Sequence, residues 1–368
     1  MEKILRVSLI LIRADARQIR SALIVLFWLG FVTGCAIVQQ PQEMQARRFQ
    51  FGVIGDQGYD AESEVKFPNL IADLNQSDLT FVVHVGDIGV PPNGSCRDET
   101  FYRRRDEFQQ SRHPFIFTPG DNEWTDCYDP KSGGYNPVER LAKLRELFFQ
   151  GDQSLGQRRI PLTRQSNDAQ HAKFRENVRW TYGNISFVTL HIVGSNNNLG
   201  RTSDMDAEYA ERNAANLAWM KQAFDIATRD ANKAIVLIMQ ANPRFEDNWP
   251  ARRINNLRVA PPGKELGGYK GYKEFLSALE KEVLAFDKPV VVVHGDTHYF
   301  RVDKPLFDPN SKEAAGRRGR VIENFTRLEV FGFPESHWVR VTVDPNDPNL
   351  FTFNQELVKK NLVNHLTK

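Results

Sequence analysis

Short runs of β-forming residues recur along the chain, each closed by a polar block. Phe51-Gly52-Val53-Ile54, Leu79-Thr80-Phe81-Val82-Val83, Pro114-Phe115-Ile116-Phe117 and residues 289–293 read as buried strands. Between them the period lengthens to that of helices, predicted over 62–74, 98–111, 137–149, 205–228 and 269–286. The last is the clearest, with Tyr272, Phe275, Leu276, Leu279, Val283 and Phe286 on one side. Alternating strands and helices predict a layered α/β domain. In the C-terminal third, 325–331, 338–343 and 350–353 read as antiparallel strands joined by Asp/Asn/Pro turns. Segments 152–173 and 303–320 are polar and without period, which predicts surface loops, and no internal repeat interrupts a single domain.

Four of the closing blocks carry acids: GDQG at 55–58, HVGD at 84–87, PGDNE at 119–123 and HGDTH at 294–298. On parallel strands such blocks collect along one sheet edge, where α/β folds place their ligands. Asp56, Asp87, Asp121 and Asp296 would then share one pocket, and four carboxylates at that range cannot all ionise without a cation. An acid-rich set prefers hard ions, Mn²⁺, Mg²⁺ or Ca²⁺, over Fe or Zn.

The four blocks resemble the active-site loops of calcineurin-like metallophosphoesterases. The resemblance spans most of the chain and implies a four-layer αββα sandwich, two mixed β-sheets flanked by helices. It also implies two divalent ions. Asp56 matches a ligand of the first metal, with Gly58 where most members have His, as in the purple acid phosphatase branch. That branch's Tyr ligand has no counterpart in 88–90, and Tyr59 stands in a different block. Asp87 matches the bridging ligand, Asp121 a ligand of the second metal and Asn122 the position of the catalytic acid. The strand 234–239 leads to Gln240, or to Asn242, as a further ligand, and Asp296 and His298 complete the set. About half the family's histidines are therefore replaced.

Other side chains carry weaker expectations. His84 reads as a core histidine, with supporting Asp87 or donating a proton as the alternative. His191 reads as structural and the Asn196-Asn197-Asn198 run as a polar turn. Arg244 and Arg327 are candidates for binding phosphate oxygens, and Trp124 for stacking on substrate or packing its own loop.

Length and charge narrow the class. The 368 residues, 41% hydrophobic, exclude a disordered or fibrous chain. The formal net charge of +2 comes from the first 35 residues, where Lys3, Arg6, Arg13, Arg17 and Arg20 stand against Glu2 and Asp15, leaving −1 elsewhere. A near-neutral remainder argues against nucleic acid as a partner, and Arg103-Arg104-Arg105 reads as a solvated helix face.

The basic start, the apolar stretch 22–32 and the closing Val32-Thr33-Gly34-Cys35 resemble a lipoprotein signal. The resemblance implies a signal peptide over 1–34, lipid on Cys35, a tether over 35–48 and a catalytic domain over 49–368. An uncleaved membrane anchor is the alternative. Either way the domain lies outside the cytoplasm, in the cell envelope, facing the periplasm or the exterior. An oxidising compartment makes a Cys96–Cys127 disulfide natural, against two free buried thiols. The function expected is an exported, lipid-anchored phosphoesterase with a phosphate-ester substrate; the rival is a non-catalytic envelope protein that keeps the fold as a binding module.

Overall fold

The computed structural model describes residues 47–89, 96–245, 268–308, 311 and 320–362; the leader, Cys35 and most of the tether lie outside them. Twelve strands among the described residues form two mixed sheets. The first has the order β12-β11-β1-β2-β3, where β1 is Phe49–Ile54, β2 Val82–His84, β3 Phe115–Phe117, β11 Trp338–Val343 and β12 Phe351–Glu356. The second has the order β4-β5-β6-β7-β8-β10-β9, with β4 Thr163–Arg164, β5 Val178–Tyr182, β6 Ile185–Thr189, β7 Ala234–Ile238, β8 Val290–His294, β9 Arg301–Asp303 and β10 Phe325–Glu329. In the first sheet β1, β2 and β3 are parallel neighbours, and in the second β6, β7, β8 and β10 are.

Period-2 alternation sorts the strand residues between layers. Ala234, Val236 and Ile238 of β7 enter the core between the sheets, while Ile235 and Leu237 face outward. Val291 and Val293 of β8 turn inward and Val290 and Val292 outward in the same way. Phe49, Phe51 and Val53 of β1 meet them from the other sheet. Phe187 is a hub of this core, its ring centroid 5.4 Å from that of Phe51, 5.0 Å from Phe81 and 5.2 Å from Trp180. Truncating such a residue costs about 3–5 kcal/mol.

Helices cover both outer faces and complete the four layers expected. Over the first sheet lie α1 (Ala61–Gln76), α2 (Asp98–Gln109) and α3 (Pro137–Phe148), contributing Phe67, Leu70, Phe101, Phe108, Leu141 and Leu144. Over the second lie α4 (Ser203–Arg229) and α5 (Lys273–Phe286), contributing Trp219, Phe224, Phe275, Leu279 and Val283. α1 starts where Asp60 and Ser63 form a reciprocal capping box, each side chain taking the other's backbone N–H. None of the helices among the described residues is long and apolar enough to cross a membrane.

Three details depart from the pattern reading. The strand at 79–83 is shifted to Val82–His84. The expected loop 152–173 contains β4 and two 3₁₀ turns, and part of 303–320 lies outside the described residues. Arg104 is buried rather than solvated, because α2 turns it inward to pair with Glu64 and Glu107, each at 2.7 Å.

Candidate metal centre

Parallel pairing decides which loops meet. The turns after β1 and β2 are stitched together by Asp56 N donating to Gly86 O at 3.0 Å and Gln57 N to Asp87 O at 3.0 Å. Across the sheets, the Asp296 amide donates to Asp56 Oδ1 at 3.0 Å, so the edge of the second sheet closes onto the first. Asp56, Asp87, Asp296 and His298 all take left-handed backbone, with φ of 53°, 60°, 79° and 61°. Such conformations cost about 1–3 kcal/mol each and persist only where surrounding structure imposes them. Here they bring Asp56, Asp87 and His298 together and place Asp296 beside them, against Gln240 and the Asn242 amide.

Asp56, Asp87 and His298 each offer one ligand atom, all within 4.8 Å of one another. Asp56 Oδ2 is buried and accepts no hydrogen bond. Gly295 makes its room, since a Cβ there would stand 2.0 Å from that oxygen. His298 Nδ1 lies 2.9 Å from the Phe333 carbonyl, which requires the proton on Nδ1 and leaves the Nε2 lone pair facing Asp56 Oδ1 at 3.7 Å. A ligating imidazole is normally held by this contact. Two carboxylates and an imidazole, one carboxylate oxygen lacking any donor, therefore fit a divalent cation.

Asp87 Oδ2 accepts from the Tyr59 hydroxyl at 2.8 Å, from Asn122 Nδ2 at 3.0 Å and from Gln240 Nε2 at 3.1 Å. Asn122 Nδ2 also reaches the Tyr59 oxygen at 3.0 Å. Gln240 Nε2 is 3.1 Å from Asp121 Oδ1 and 3.4 Å from Asp296 Oδ1, and Asp296 Oδ2 accepts the Asn242 amide at 2.9 Å. The sequence-derived set Asp56, Asp87, Asp121, Asn122, Gln240, Asp296 and His298 thus comes together in one place.

Burial dominates the electrostatics. It lifts Asp56 and Asp87 well above the carboxylate range, with neighbouring acids adding to the lift. Asp121 is pushed up to about 8, by burial and then by Asp126 and Asp296. Asp296 and Glu123 rise to about 7, burial again being the main cause. A cluster that holds protons near neutral pH is one that a cation stabilises by displacing them.

The remaining candidates lie elsewhere. His84 is not brought to the cluster; its ring packs among Phe67, Phe108, Phe115 and Phe117, its Nδ1 accepts the Gly86 amide, and burial lowers its pKa to about 3. A neutral core imidazole of that kind is no proton donor. Arg327 forms a two-bond ion pair with Asp303 at 2.7 and 2.5 Å and is buried, so it binds Asp303 rather than phosphate. Trp124 is fully buried under the Arg212 guanidinium, 5.1 Å from its ring centroid. His191 Nδ1 faces Glu176 at 2.8 Å in the interior. Arg244 shares the Gln240 loop, its amide donating to Asn242 Oδ1 at 3.0 Å. Cys96 and Cys127 are joined in a disulfide, and the Asn122 carbonyl lies 3.4 and 3.8 Å from the two sulfurs.

Two features were not anticipated. Tyr59 enters the cluster although it belongs to the first block, because β1 and β2 are neighbours and either turn reaches the same space. Gly58 explains a missing histidine: at φ +81°, a Cβ there would stand 1.7 Å from Arg104 Nη2. The buried guanidinium occupies the volume an imidazole at 58 would need.

No family model and no curated protein sequence matches the chain. Among solved structures it is similar to a 5'-nucleotidase from Candida albicans, with 10% identity and a TM-score of 0.37 over 83% of this chain. The chain spans 50% of that nucleotidase's length. It is also similar to vacuolar protein sorting 29 from Cryptosporidium parvum, with 10% identity and a TM-score of 0.27, covering 84% of this chain and 97% of that one. A single mutant of Vps29 from Entamoeba histolytica gives 11% identity and a TM-score of 0.25, covering 83% and 97%.

Proposed function

We propose that the chain is a divalent-cation-dependent phosphoric ester hydrolase of the calcineurin-like metallophosphoesterase type. The observation that carries this reading is the convergence of Asp56, Asp87 and His298, with a donor-free Oδ2 on Asp56 and His298 Nε2 standing 3.7 Å from the other oxygen of the same carboxylate. These three residues would hold the ion, which we assign to the hard class of Mn²⁺, Mg²⁺ and Ca²⁺. Bound there, it supplies Lewis-acid polarisation of a phosphoryl oxygen and a lowered pKa for water. The protein's own part is orientation. Asn122 Nδ2 and the Tyr59 hydroxyl fix the Asp87 carboxylate, and both N–H groups of the Asn122 amide are engaged there, on Tyr59 and on Asp87.

The cell-envelope location belongs to the same proposal: residues 1–34 act as a signal peptide and Cys35 carries lipid, which mass spectrometry of the mature N-terminus tests directly. One observation favours the rival reading of a binding module, namely that position 122 carries an amide that cannot deliver a proton. The deciding experiment assays the metal-free protein against aryl and alkyl phosphate monoesters and diesters before and after Mn²⁺. Cation-dependent turnover supports the hydrolase; saturable ion binding with no turnover on any ester leaves the binding module.

A further inference from the structure

Gln240 is fully buried at the end of β7, and its amide cannot turn freely. Its Oε1 accepts the Gly194 amide at 2.6 Å, which fixes Nε2 as the end directed at the acids. That nitrogen lies 3.1 Å from Asp87 Oδ2, 3.1 Å from Asp121 Oδ1 and 3.4 Å from Asp296 Oδ1. A point surrounded by three oxygens of three carboxylates is where a cation would sit, and an N–H donor occupies it.

We infer that the Gln240 amide takes the place of a second cation, so that the site binds one divalent ion, at Asp56, Asp87 and His298, and closes its other half with hydrogen bonds. This rests on the hydrolase reading only for the presence of that one ion. Two further observations agree. Asp87 Oδ2 already accepts from Tyr59, Asn122 and Gln240, so a second ion on the Gln240 side would have to displace a donor from that oxygen. The wall behind Gln240 is also closed: a Cβ at Gly194 would stand 2.6 Å from Asp121 Oδ2 and 2.7 Å from Asp296 Oδ1.

Turning the amide to present Oε1 to an ion would set its N–H against the Gly194 N–H, two donors face to face in the interior. Gly194 cannot retreat easily. It opens the left-handed turn Ser195 to Asn198, with φ from 53° to 69°. That turn is pinned by Arg212 Nη1 to Asn197 Oδ1 at 2.6 Å, Arg212 Nη2 to Asn197 O at 3.0 Å and the Asn197 amide to Tyr272 Oη at 3.2 Å. The same Tyr272 hydroxyl donates to the Val193 carbonyl at 2.8 Å, just before Gly194.

The test counts ions. Native mass spectrometry of the wild-type chain loaded with Mn²⁺ should give one ion per chain, and its electron paramagnetic resonance spectrum should be that of isolated Mn²⁺ without exchange coupling. Gln240→Glu, which replaces the donor with an acceptor, should raise the count to two. Two ions on the wild type, with a coupled spectrum, would overturn the inference while leaving the hydrolase reading intact. No ion at all would overturn both. A folded Gln240→Glu chain that still binds one ion would show that the amide is not what excludes the second. Should that variant fail to fold, the wild-type count decides alone.

Discussion

His298 is turned toward Asp56 by a bond on its far side: Nδ1 donates to the Phe333 carbonyl at 2.9 Å, and Nε2 then faces Asp56 Oδ1 at 3.7 Å. Phe333 lies in the turn between β10 and β11, so the ligand's orientation is set by a segment outside its own loop. His298→Gln, which removes a ligand and not merely its support, should lower Mn²⁺ affinity by at least the roughly 10- to 100-fold that loss of a ligand's supporting partner costs. Calorimetric titration of the metal-free protein measures this; unchanged affinity would remove His298 from the site.

Asp87→Asn should be the more damaging change. It withdraws a charge from the ion and presents an amide to Tyr59, Asn122 and Gln240, which are all donors to it now. Ion binding stabilises the native state by about 2.7 kcal/mol at a hundredfold excess over Kd. Thermal melts with and without Mn²⁺ should show that gain in the wild type and its loss in Asp87→Asn. Equal gains in both would mean that the ion binds elsewhere.

The metal-free protein should weaken as pH rises above neutrality. Asp121 is held up at about 8 and Asp296 and Glu123 at about 7, all by burial first. A carboxyl whose folded pKa exceeds its unfolded value contributes stability that is full below the unfolded pKa and lost as pH climbs through the folded one. The buried histidines act oppositely: His84, His191 and His294 have lowered pKa values, so their contribution is already complete above the ordinary value near 6.5. Between pH 7 and 9 the acids alone set the sign. The metal-free Tm should fall across that window, and saturating Mn²⁺ should flatten the fall. A metal-free Tm that rises there would contradict the protonated cluster.

The layers were legible in the sequence because strand alternation and helical period are local signals. β11 matches the expected 338–343, and α3 comes within one residue of 137–149. The β5–β6 hairpin was not marked as a pair, although Gly183 and Asn184 carry its tight turn with φ of 57° and 64°. The acids of the site were legible from their places after strands. What remained hidden was non-local: Arg104 filling the space beside Gly58, and Gly194 fixing the direction of the Gln240 amide. Neither depends on spacing along the chain. Both depend on which turns the two sheets bring together.

The Cys96–Cys127 bridge should stabilise both the fold and the third loop. Its sequence separation is 31, for which loop-closure entropy gives roughly 3–4 kcal/mol. The Asn122 carbonyl rests against the sulfurs, so the bridge also holds a residue that contacts Asp87. Replacing both cysteines with serine should lower the Tm and weaken Mn²⁺ binding together. A lowered Tm with unchanged ion affinity would confine the bridge to a structural role.

The identity of residue 122 makes the most specific kinetic prediction. A departing alkoxide needs a proton, and a positioned acid contributes about 10² to 10⁴ in rate. Asn122 reaches Asp87 and Tyr59 through its amide nitrogen, which can orient an oxygen and cannot protonate it. The imidazole at the cluster, His298, has its proton committed to Phe333 and its Nε2 3.3 Å from the Tyr59 hydroxyl, and His84 lies in the phenylalanine core. Tyr59 is no substitute at neutral pH, since burial first and then Asp87 push its phenol well above 10. The Mn²⁺-loaded chain should therefore hydrolyse aryl phosphates, whose leaving groups need no proton, far faster than alkyl phosphates. Asn122→His should narrow that gap by raising kcat/KM on alkyl esters, with Mn²⁺ affinity within a fewfold of wild type. Comparable wild-type rates on matched aryl and alkyl esters, together with a loss of activity in Asn122→His, would show that the proton arrives from another group and that residue 122 serves only to position Asp87.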